Sequence, residues 1–165
     1  AGLYSCDSSK KESVDTPEES TEQPAEQSTE GTSSTDTATS NELTLSATDD
    51  MKFDKTDFTV KAGEEISLTL TNTGTLPVET MGHNVVILDK GADVTEFANA
   101  SAKSKETNFI SDLYVTDVIA NTKVLGPGES ETIKFTLKEA GDYTFLCTFP
   151  GHWVQMKGVK HNKIS

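Results

Sequence analysis

A thiol, an imidazole and a thioether occur within ten residues near the carboxyl end of the sequence. They are Cys147, His152 and Met156, in the segment C-T-F-P-G-H-W-V-Q-M. The alternating run Tyr143–Cys147 that leads into this segment predicts a β-strand. Pro150 and Gly151 then favour a sharp turn, because proline has a fixed φ and glycine lacks a Cβ. The three side chains can therefore converge at the end of a strand.

Sulfur donors combined with imidazole favour copper, and a trigonal set of two histidines and one cysteine with a weak axial methionine is typical of blue-copper sites. His83 supplies the second histidine, from Met81-Gly82-His83-Asn84 at the head of the apolar run Val85–Leu88. We therefore predict one type 1 copper ion that links this segment to the Cys147 loop. Zinc remains an alternative, because sulfur and nitrogen donors also bind it.

The elements that must position these residues are strands. Between residues 43 and 147 the sequence contains short runs with a period of two, which predict strands. Turn sequences rich in glycine, proline and asparagine separate them, as in a Greek-key sandwich. The runs are Leu43–Ala47, Phe58–Val60, Ile66–Leu70, Val85–Leu88, Thr132–Leu137 and Tyr143–Cys147. We expect an all-β sandwich.

Two segments depart from this alternation. Val94–Ala102 is rich in alanine and predicts a short helical insertion, and the residues that follow it up to Val118 show no clear period. Lys160–Lys163 is polar and predicts a frayed, basic end. His161 within it has no partner motif, so we expect an exposed imidazole without a function.

Residues 1–42 differ in composition from residues 43–165. Between Asp7 and Glu42 there are ten carboxylates and two lysines, which account for about eight of the thirteen net negative charges. Val14 is the only branched aliphatic residue there, so the segment buries too little apolar surface to offset its chain entropy. We predict a disordered acidic linker over residues 1–42 and one domain over residues 43–165.

The overall composition excludes some functions. A net charge of −13 without a Lys/Arg stripe disfavours binding to nucleic acid. The sequence has no run of eighteen or more apolar residues, so it predicts no membrane-spanning helix. Cys6 and Cys147 lie in such different contexts that we expect two separate roles for them rather than one disulfide.

Three motifs together closely resemble the azurins, over about residues 43–165. They are Leu76-Pro77…Met81-Gly82-His83-Asn84, Val118-Ile119-Ala120-Asn121-Thr122-Lys123…Gly126…Gly128-Glu129 and Cys147-Thr148-Phe149-Pro150-Gly151-His152…Met156-Lys157-Gly158. The resemblance implies the cupredoxin fold, with copper held by His83, Cys147 and His152. It further implies Met156 as a distant axial ligand and the Gly82 carbonyl opposite it.

The same resemblance implies how the site is supported and used. Asn84 should brace the ligand loop through Thr148, and the N–H of Phe149 should reach the Cys147 sulfur. Electrons should pass through the exposed edge of His152 to redox proteins such as cytochromes or oxidases. The expected docking patch is apolar and consists of Leu76, Pro77, Met81, Phe149, Pro150 and Val154.

The chain departs from the azurins at two places. Asn41 and Glu64 stand about where the usual disulfide would lie, so packing alone is expected to stabilise that region. Trp153, beside His152, either reshapes the docking patch and its polarity or covers the metal from water. We interpret Met51 and Met81 as packing or patch residues rather than ligands.

Leu3-Tyr4-Ser5-Cys6 resembles the end of a bacterial lipobox, in which the cysteine is acylated. We expect a lipid on Cys6 to anchor an exported protein to a membrane, in the periplasm or at the outer cell surface, with the acidic segment as a spacer. An unmodified linker cysteine is the alternative.

These features predict an electron-transfer protein that is not an enzyme and has no small-molecule substrate. Copper capture or delivery is the alternative, but it would favour exposed Met/His clusters, which are absent from the sequence. A copper enzyme would need a second metal with open coordination, and only His161 is spare.

Overall fold

The computed structural model describes residues 40–163, with side chains up to His161. The expected linker, apart from Ser40–Glu42, and the expected lipid site at Cys6 lie outside the described residues. The strands are β1 Glu42–Thr48, β2 Lys52–Phe53, β3 Asp57–Lys61, β4 Glu65–Asn72, β5 Val86–Leu88, β6 Val118–Asn121, β7 Ser130–Thr136, β8 Gly141–Leu146 and β9 Lys157–Lys163. The helices are α1 Val78–Met81, α2 Val94–Ser101 and two 3-10 helices, Lys105–Thr107 and Asp112–Asp117. No helix in the described part is long and apolar enough to cross a membrane.

The strands form two sheets, in the orders β2-β1-β4-β7 and β3-β9-β8-β5-β6. β1 and β4 are parallel, as are β3 and β9, and the other pairs are antiparallel. β4 alternates buried and less buried residues along its length, so Ile66, Leu68 and Leu70 enter the core. There they share one cluster with Val60 and Phe145 of the other sheet. The predicted β-sandwich is confirmed.

The predicted helical insertion is also confirmed, as α2. The Asp93 side chain caps it by accepting a hydrogen bond from the N–H of Glu96 at 3.0 Å. Phe97 and Ala98 are fully buried, in a second cluster that includes Leu88 of β5 and Leu146 of β8. The insertion therefore packs against a sheet whose residues on the opposite face enter the main core.

The prediction of a frayed end at Lys160–Lys163 is wrong, because these residues belong to β9. This strand pairs with β3 on one side and β8 on the other. Backbone hydrogen bonds to two neighbours stabilise it in spite of its polar sequence. His161 also has partners: its Nδ1 lies 2.6 Å from Asp142 Oδ1 and its Nε2 lies 3.4 Å from Asp57 Oδ1. Asp142 raises the pKa of this imidazole, and Asp57 adds to the effect.

Lys160 is fully buried between the sheets. Its Nζ has no hydrogen-bond partner among the described residues and lies 4.3 Å from the centre of the Phe135 ring and 5.9 Å from that of Phe58. The face of an aromatic ring stabilises a cation, but not as well as water does. Burial lowers the pKa of Lys160 to about 7.

Asn41, which the resemblance would place about where a disulfide usually lies, forms hydrogen bonds instead. Its Oδ1 accepts from the N–H of Lys61 at 2.9 Å, and its Nδ2 donates to the carbonyls of Lys61 at 3.4 Å and Glu65 at 3.3 Å. The start of β1 is thereby joined to the end of β3 and the start of β4. Packing alone was expected here, and the Asn41 amide adds to it.

Replacing Lys160 with methionine is expected to raise the free energy of unfolding at neutral pH by about 1–3 kcal/mol, because it removes an unsatisfied buried nitrogen. The unfolded lysine loses its proton near pH 10.5 and the folded one near pH 7. Between these values the unfolded state binds more protons, so wild-type stability gains a contribution that rises with pH. The advantage of the variant should therefore shrink across that window.

Urea denaturation of both proteins at several pH values measures this difference. Lys138→Met, at an exposed position, is the control and should change stability little at any pH. If the free energies of unfolding of wild type and Lys160→Met change with pH in parallel, the pKa of Lys160 is not lowered by folding.

Candidate metal centre

His83 is held by its backbone rather than by a regular strand. Its N–H donates to the Leu125 carbonyl at 3.2 Å, and its carbonyl accepts from the N–H of Leu125 at 2.7 Å, as an isolated bridge. The sequence predicted His83 at the head of a strand over Val85–Leu88, whereas β5 begins at Val86. The bridge gives the residue a fixed position before the strand begins.

The second ligand segment is a closed loop that follows β8. The N–H of Cys147 donates to the Met156 carbonyl at 2.9 Å, so the two ends of the loop are joined. Gly151 has a φ of +83°, and the N–H of His152 donates to the Phe149 carbonyl at 3.0 Å. This is the arrangement of a type II turn, and it confirms the sharp turn expected from the Pro-Gly pair.

The structure brings His83, Cys147 and His152 together. One ligand atom from each lies within 4.8 Å of the others, and Cys147 Sγ lies 3.7 Å from His152 Nδ1. The centres of the two imidazole rings are 5.0 Å apart. All three residues are buried, with His152 only 2% exposed. Two nitrogens and one sulfur therefore face a common point that water scarcely reaches.

Burial keeps both imidazoles neutral. Burial, with a smaller contribution from the neighbouring His83, lowers the pKa of His152 to about 4. It also lowers the pKa of His83, while the Thr48 carbonyl and the Asp49 carboxylate oppose the shift. A metal ion would therefore displace no proton from the imidazoles at neutral pH.

The pKa of the Cys147 thiol shifts in the opposite direction. Burial raises the pKa of Cys147 to about 11, although the backbone N–H groups of Asn84 and Phe149 stabilise the thiolate and oppose the shift. The Phe149 contact is the one that the resemblance implied, and the Asn84 contact was not anticipated. Binding a metal would release one proton, from this thiol.

The ring of His83 has an unsatisfied hydrogen-bonding capacity that a metal ion would meet. Neither Nδ1 nor Nε2 meets hydrogen-bond geometry with a described residue, although the Thr48 backbone is close enough to raise the pKa of the ring. An unpaired buried polar group is unfavourable, and native proteins rarely leave one without a reason. The residues present thus fit a thiophilic metal bound by one sulfur and two nitrogens.

Asn84 and Thr148 form the expected brace. Asn84 Nδ2 donates to Thr148 Oγ1 at 2.8 Å, and the N–H of Thr148 donates to Asn84 Oδ1 at 2.8 Å. Both residues are buried. The reciprocal pair joins the residue after His83 to the residue after Cys147, which confirms the prediction.

The other two candidate ligands adjoin the three donors. Met156 is fully buried and shares the core cluster with Cys147. Gly82 is also buried, and a Cβ there would lie 2.5 Å from Val124 Cγ1 and 2.7 Å from the Val78 carbonyl oxygen. Only glycine fits at position 82, which explains the residue type before His83 without requiring its carbonyl to be a ligand.

Four of the six residues of the expected docking patch are exposed. Leu76 and Val154 are 43% and 63% exposed, and Pro77 and Pro150 are exposed as well. Met81 is half-buried and Phe149 is 8% exposed, so these two expected patch residues contribute less surface.

Trp153 is half-buried and packs against the second cluster, beside α2. Lys157 Nζ lies 5.4 Å from the centre of a Trp153 ring. The packing joins the ligand loop to the cluster in which α2 is also buried, and the Lys157 contact joins it to the start of β9. The sequence indicated neither role for Trp153.

Comparisons with known proteins agree with this geometry. Residues 39–160 match the model of a family described as copper binding proteins, plastocyanin/azurin family. The azurin of Alcaligenes faecalis is 38% identical over 122 residues, which are 72% of this chain and 94% of that protein. Outer membrane protein H.8 of Neisseria gonorrhoeae is 38% identical over 120 residues, which are 70% of this chain and 63% of that protein.

Among solved structures, reduced auracyanin from the photosynthetic bacterium Roseiflexus castenholzii is 37% identical. The match covers 76% of this chain and 98% of that one, with a TM-score of 0.65. The fold, the buried donor group and the extent of these matches agree, and the chain belongs to the plastocyanin/azurin family of copper-binding proteins.

Proposed function

We propose that this protein carries single electrons through one type 1 copper ion held by His83, Cys147 and His152, with the Met156 sulfur as a distant axial ligand and the Gly82 carbonyl opposite it. The observation that carries the proposal is the buried donor group itself, with its ligand atoms within 4.8 Å of one another. Copper supplies a one-electron couple between Cu(I) and Cu(II) when bound.

The chain suits this task because it restrains the ligands in advance. The backbone of His83 is bridged to Leu125, and the Cys147 loop is closed at Met156 and braced by Thr148. Cu(I) and Cu(II) favour different geometries, so ligands that move little between the two states lower the reorganisation barrier. Rigid support of the ligands by neighbouring residues is a general means of tuning metal sites.

The protein's own residues also favour a carrier over an enzyme. The three donors are buried, which limits the access of water and of a substrate to a metal held between them. Within residues 40–163, His83, Cys147 and His152 are the only group of three or more His, Cys, Asp or Glu donors that could hold a metal. Burial also disfavours rapid metal release, which copper delivery would require.

The proposed partners are redox proteins such as cytochromes or oxidases, which would dock on the apolar patch around His152. Leu76, Pro77, Pro150 and Val154 supply its exposed surface. His152 itself is only 2% exposed. A small apolar patch suits brief encounters, since electron-transfer complexes bury little surface.

We further propose that the protein is exported and attached to a membrane through a lipid on Cys6, with the acidic segment as a spacer. The lipobox-like Leu3-Tyr4-Ser5-Cys6 supports this. A relative of similar domain sequence is named an outer membrane protein. Such an arrangement would hold the copper domain at the cell envelope.

Cys147→Ser is expected to abolish the intense visible absorption of the Cu(II) protein, because that band requires charge transfer from the thiolate. Absorption spectra of copper-loaded wild type and variant test this. His161→Ala, which removes a histidine outside the site, should leave the band unchanged. A wild-type protein that binds Cu(II) without colour would contradict the proposed function.

Met156→Leu is expected to retain copper but to raise the reduction potential, because the loss of a weak axial donor favours Cu(I). Voltammetry measures the potential. Met51→Leu is the matched control, since Met51 also packs against the main core and is not a proposed ligand. An unchanged potential in Met156→Leu would exclude Met156 as a ligand.

Cys6 is expected to carry acyl groups in protein isolated from its native membranes. Mass spectrometry of the intact protein and of its amino-terminal peptide detects them. In a Cys6→Ser variant the protein should leave the membrane fraction. Native protein with an unmodified Cys6 thiol would exclude the anchor while leaving the electron-transfer proposal intact.

A further inference from the structure

Two consecutive residues near the ligand loop have an unusual backbone. Asn108 and Phe109 have φ values of +61° and +60°. Asparagine tolerates this left-handed region, but a bulky residue such as phenylalanine seldom adopts it. Such conformations persist where surrounding contacts enforce them. The two residues lie in the segment 104–111 between α2 and the second 3-10 helix, which we call the strap.

The strap contacts both segments that carry the candidate ligands. On the His83 side, Asn108 Oδ1 accepts a hydrogen bond from the N–H of Val124 at 3.2 Å, one residue before Leu125. On the Cys147 side, the Phe109 carbonyl accepts from Thr148 Oγ1 at 2.6 Å. The rings of Phe109 and Phe149 also pack, with centres 5.2 Å apart.

The hydrogen bond to Phe109 sets the direction of the brace beneath the metal centre. The Thr148 hydroxyl has one proton, and the Phe109 carbonyl can only accept it. The hydroxyl oxygen must therefore accept from Asn84 Nδ2, which places Asn84 Oδ1 toward the N–H of Thr148. These hydrogen bonds connect the strap to Asn84 and Thr148, the residues that follow His83 and Cys147.

This series of hydrogen bonds ends at the thiol. The backbone N–H groups of Asn84 and Phe149 stabilise the Cys147 thiolate. Asn84 is orientated by Thr148, and Phe149 is both the residue after Thr148 and the ring that packs on Phe109. Hydrogen bonds to a ligand sulfur are among the features that tune a blue-copper potential.

We propose that the strap is a positioning device for the metal centre, in which the left-handed turn at Asn108 and Phe109 holds the Phe109 carbonyl against the Thr148 hydroxyl and so fixes the N–H groups that face Cys147. This inference rests on the proposed function of the site. Phe109 and Thr148 are positioning residues, because neither is itself a candidate ligand.

A matched pair of substitutions at position 148 tests the hydroxyl. Thr148→Val keeps the shape of the side chain but removes the hydroxyl that donates to Phe109 and accepts from Asn84, whereas Thr148→Ser keeps this hydroxyl. Two readouts apply: the reduction potential of the copper protein, and the rate at which the Cys147 thiol of the metal-free protein reacts with an aromatic disulfide. A Cys6→Ser background leaves Cys147 as the only thiol.

We expect Thr148→Val to shift the reduction potential of the copper protein. We also expect the Cys147 thiol of the metal-free protein to react about tenfold faster, because the loss of buried hydrogen bonds lets the loop open more often and expose the sulfur. In Thr148→Ser the thiol reaction rate should stay within about twofold of wild type, because the hydroxyl and its hydrogen bonds are kept. A Thr148→Val protein that matches Thr148→Ser in both readouts would overturn the proposal.

A second pair tests the backbone conformation. Phe109→Ile places a β-branched residue where φ is +60° and should displace the carbonyl, whereas Phe109→Tyr should not. If Phe109 acts through Thr148, Phe109→Ile should change the reduction potential when it is introduced into the wild-type protein. The same substitution should change it little when it is introduced into the Thr148→Val variant. Additive shifts would overturn the proposal, and if Phe109→Ile does not fold, Phe109→Val, with a smaller β-branched side chain, takes its place in the same comparison.

Leu113→Ser is the control for the insertion as a whole, because Leu113 is 84% exposed and should affect neither readout. The outcomes also separate the two proposals. A wild-type protein without a blue Cu(II) band would exclude the proposed function. A blue wild type with a Thr148→Val variant identical to it would exclude only the role of the strap.

Discussion

The structure around the candidate metal centre depends on the burial of one thiol and two imidazoles at a common point. The same burial lowers the pKa of both histidines and raises that of Cys147 to about 11. It also leaves both ring nitrogens of His83 without hydrogen bonds in the described part of the chain. Such a group is unfavourable on its own, so the fold must hold it in place until a cation satisfies it.

The fold provides this restraint through backbone contacts between distant segments. The bridge between His83 and Leu125 fixes one ligand, and the bond from Cys147 to Met156 closes the loop that carries the others. Neither contact depends on the ligand side chains. The sandwich can therefore keep its shape with or without a metal, which suits a site that should change little between two oxidation states.

Much of this was predictable from local sequence patterns. Cys147, His152 and Met156 are close along the chain, so their chemistry is visible without a fold, and α2 and the strands with a period of two were recognised in the same way. β9 was missed because its stability comes from pairing with β3 and β8 rather than from an apolar pattern. The burial of Lys160 is a consequence of that pairing and has no local signal.

The sequence by itself determined which atoms are available to a metal, since residue type sets donor chemistry and the short Cys147–Met156 loop limits its geometry. Only the tertiary structure decided which groups surround those atoms. The bond from Asn84 to Thr148 was expected only through the resemblance to a family, and the bond from Thr148 to Phe109 was not expected; the two join residues 64 and 39 positions apart. Contacts over such separations depend on how two sheets and an insertion pack, and no local pattern of residues encodes that packing.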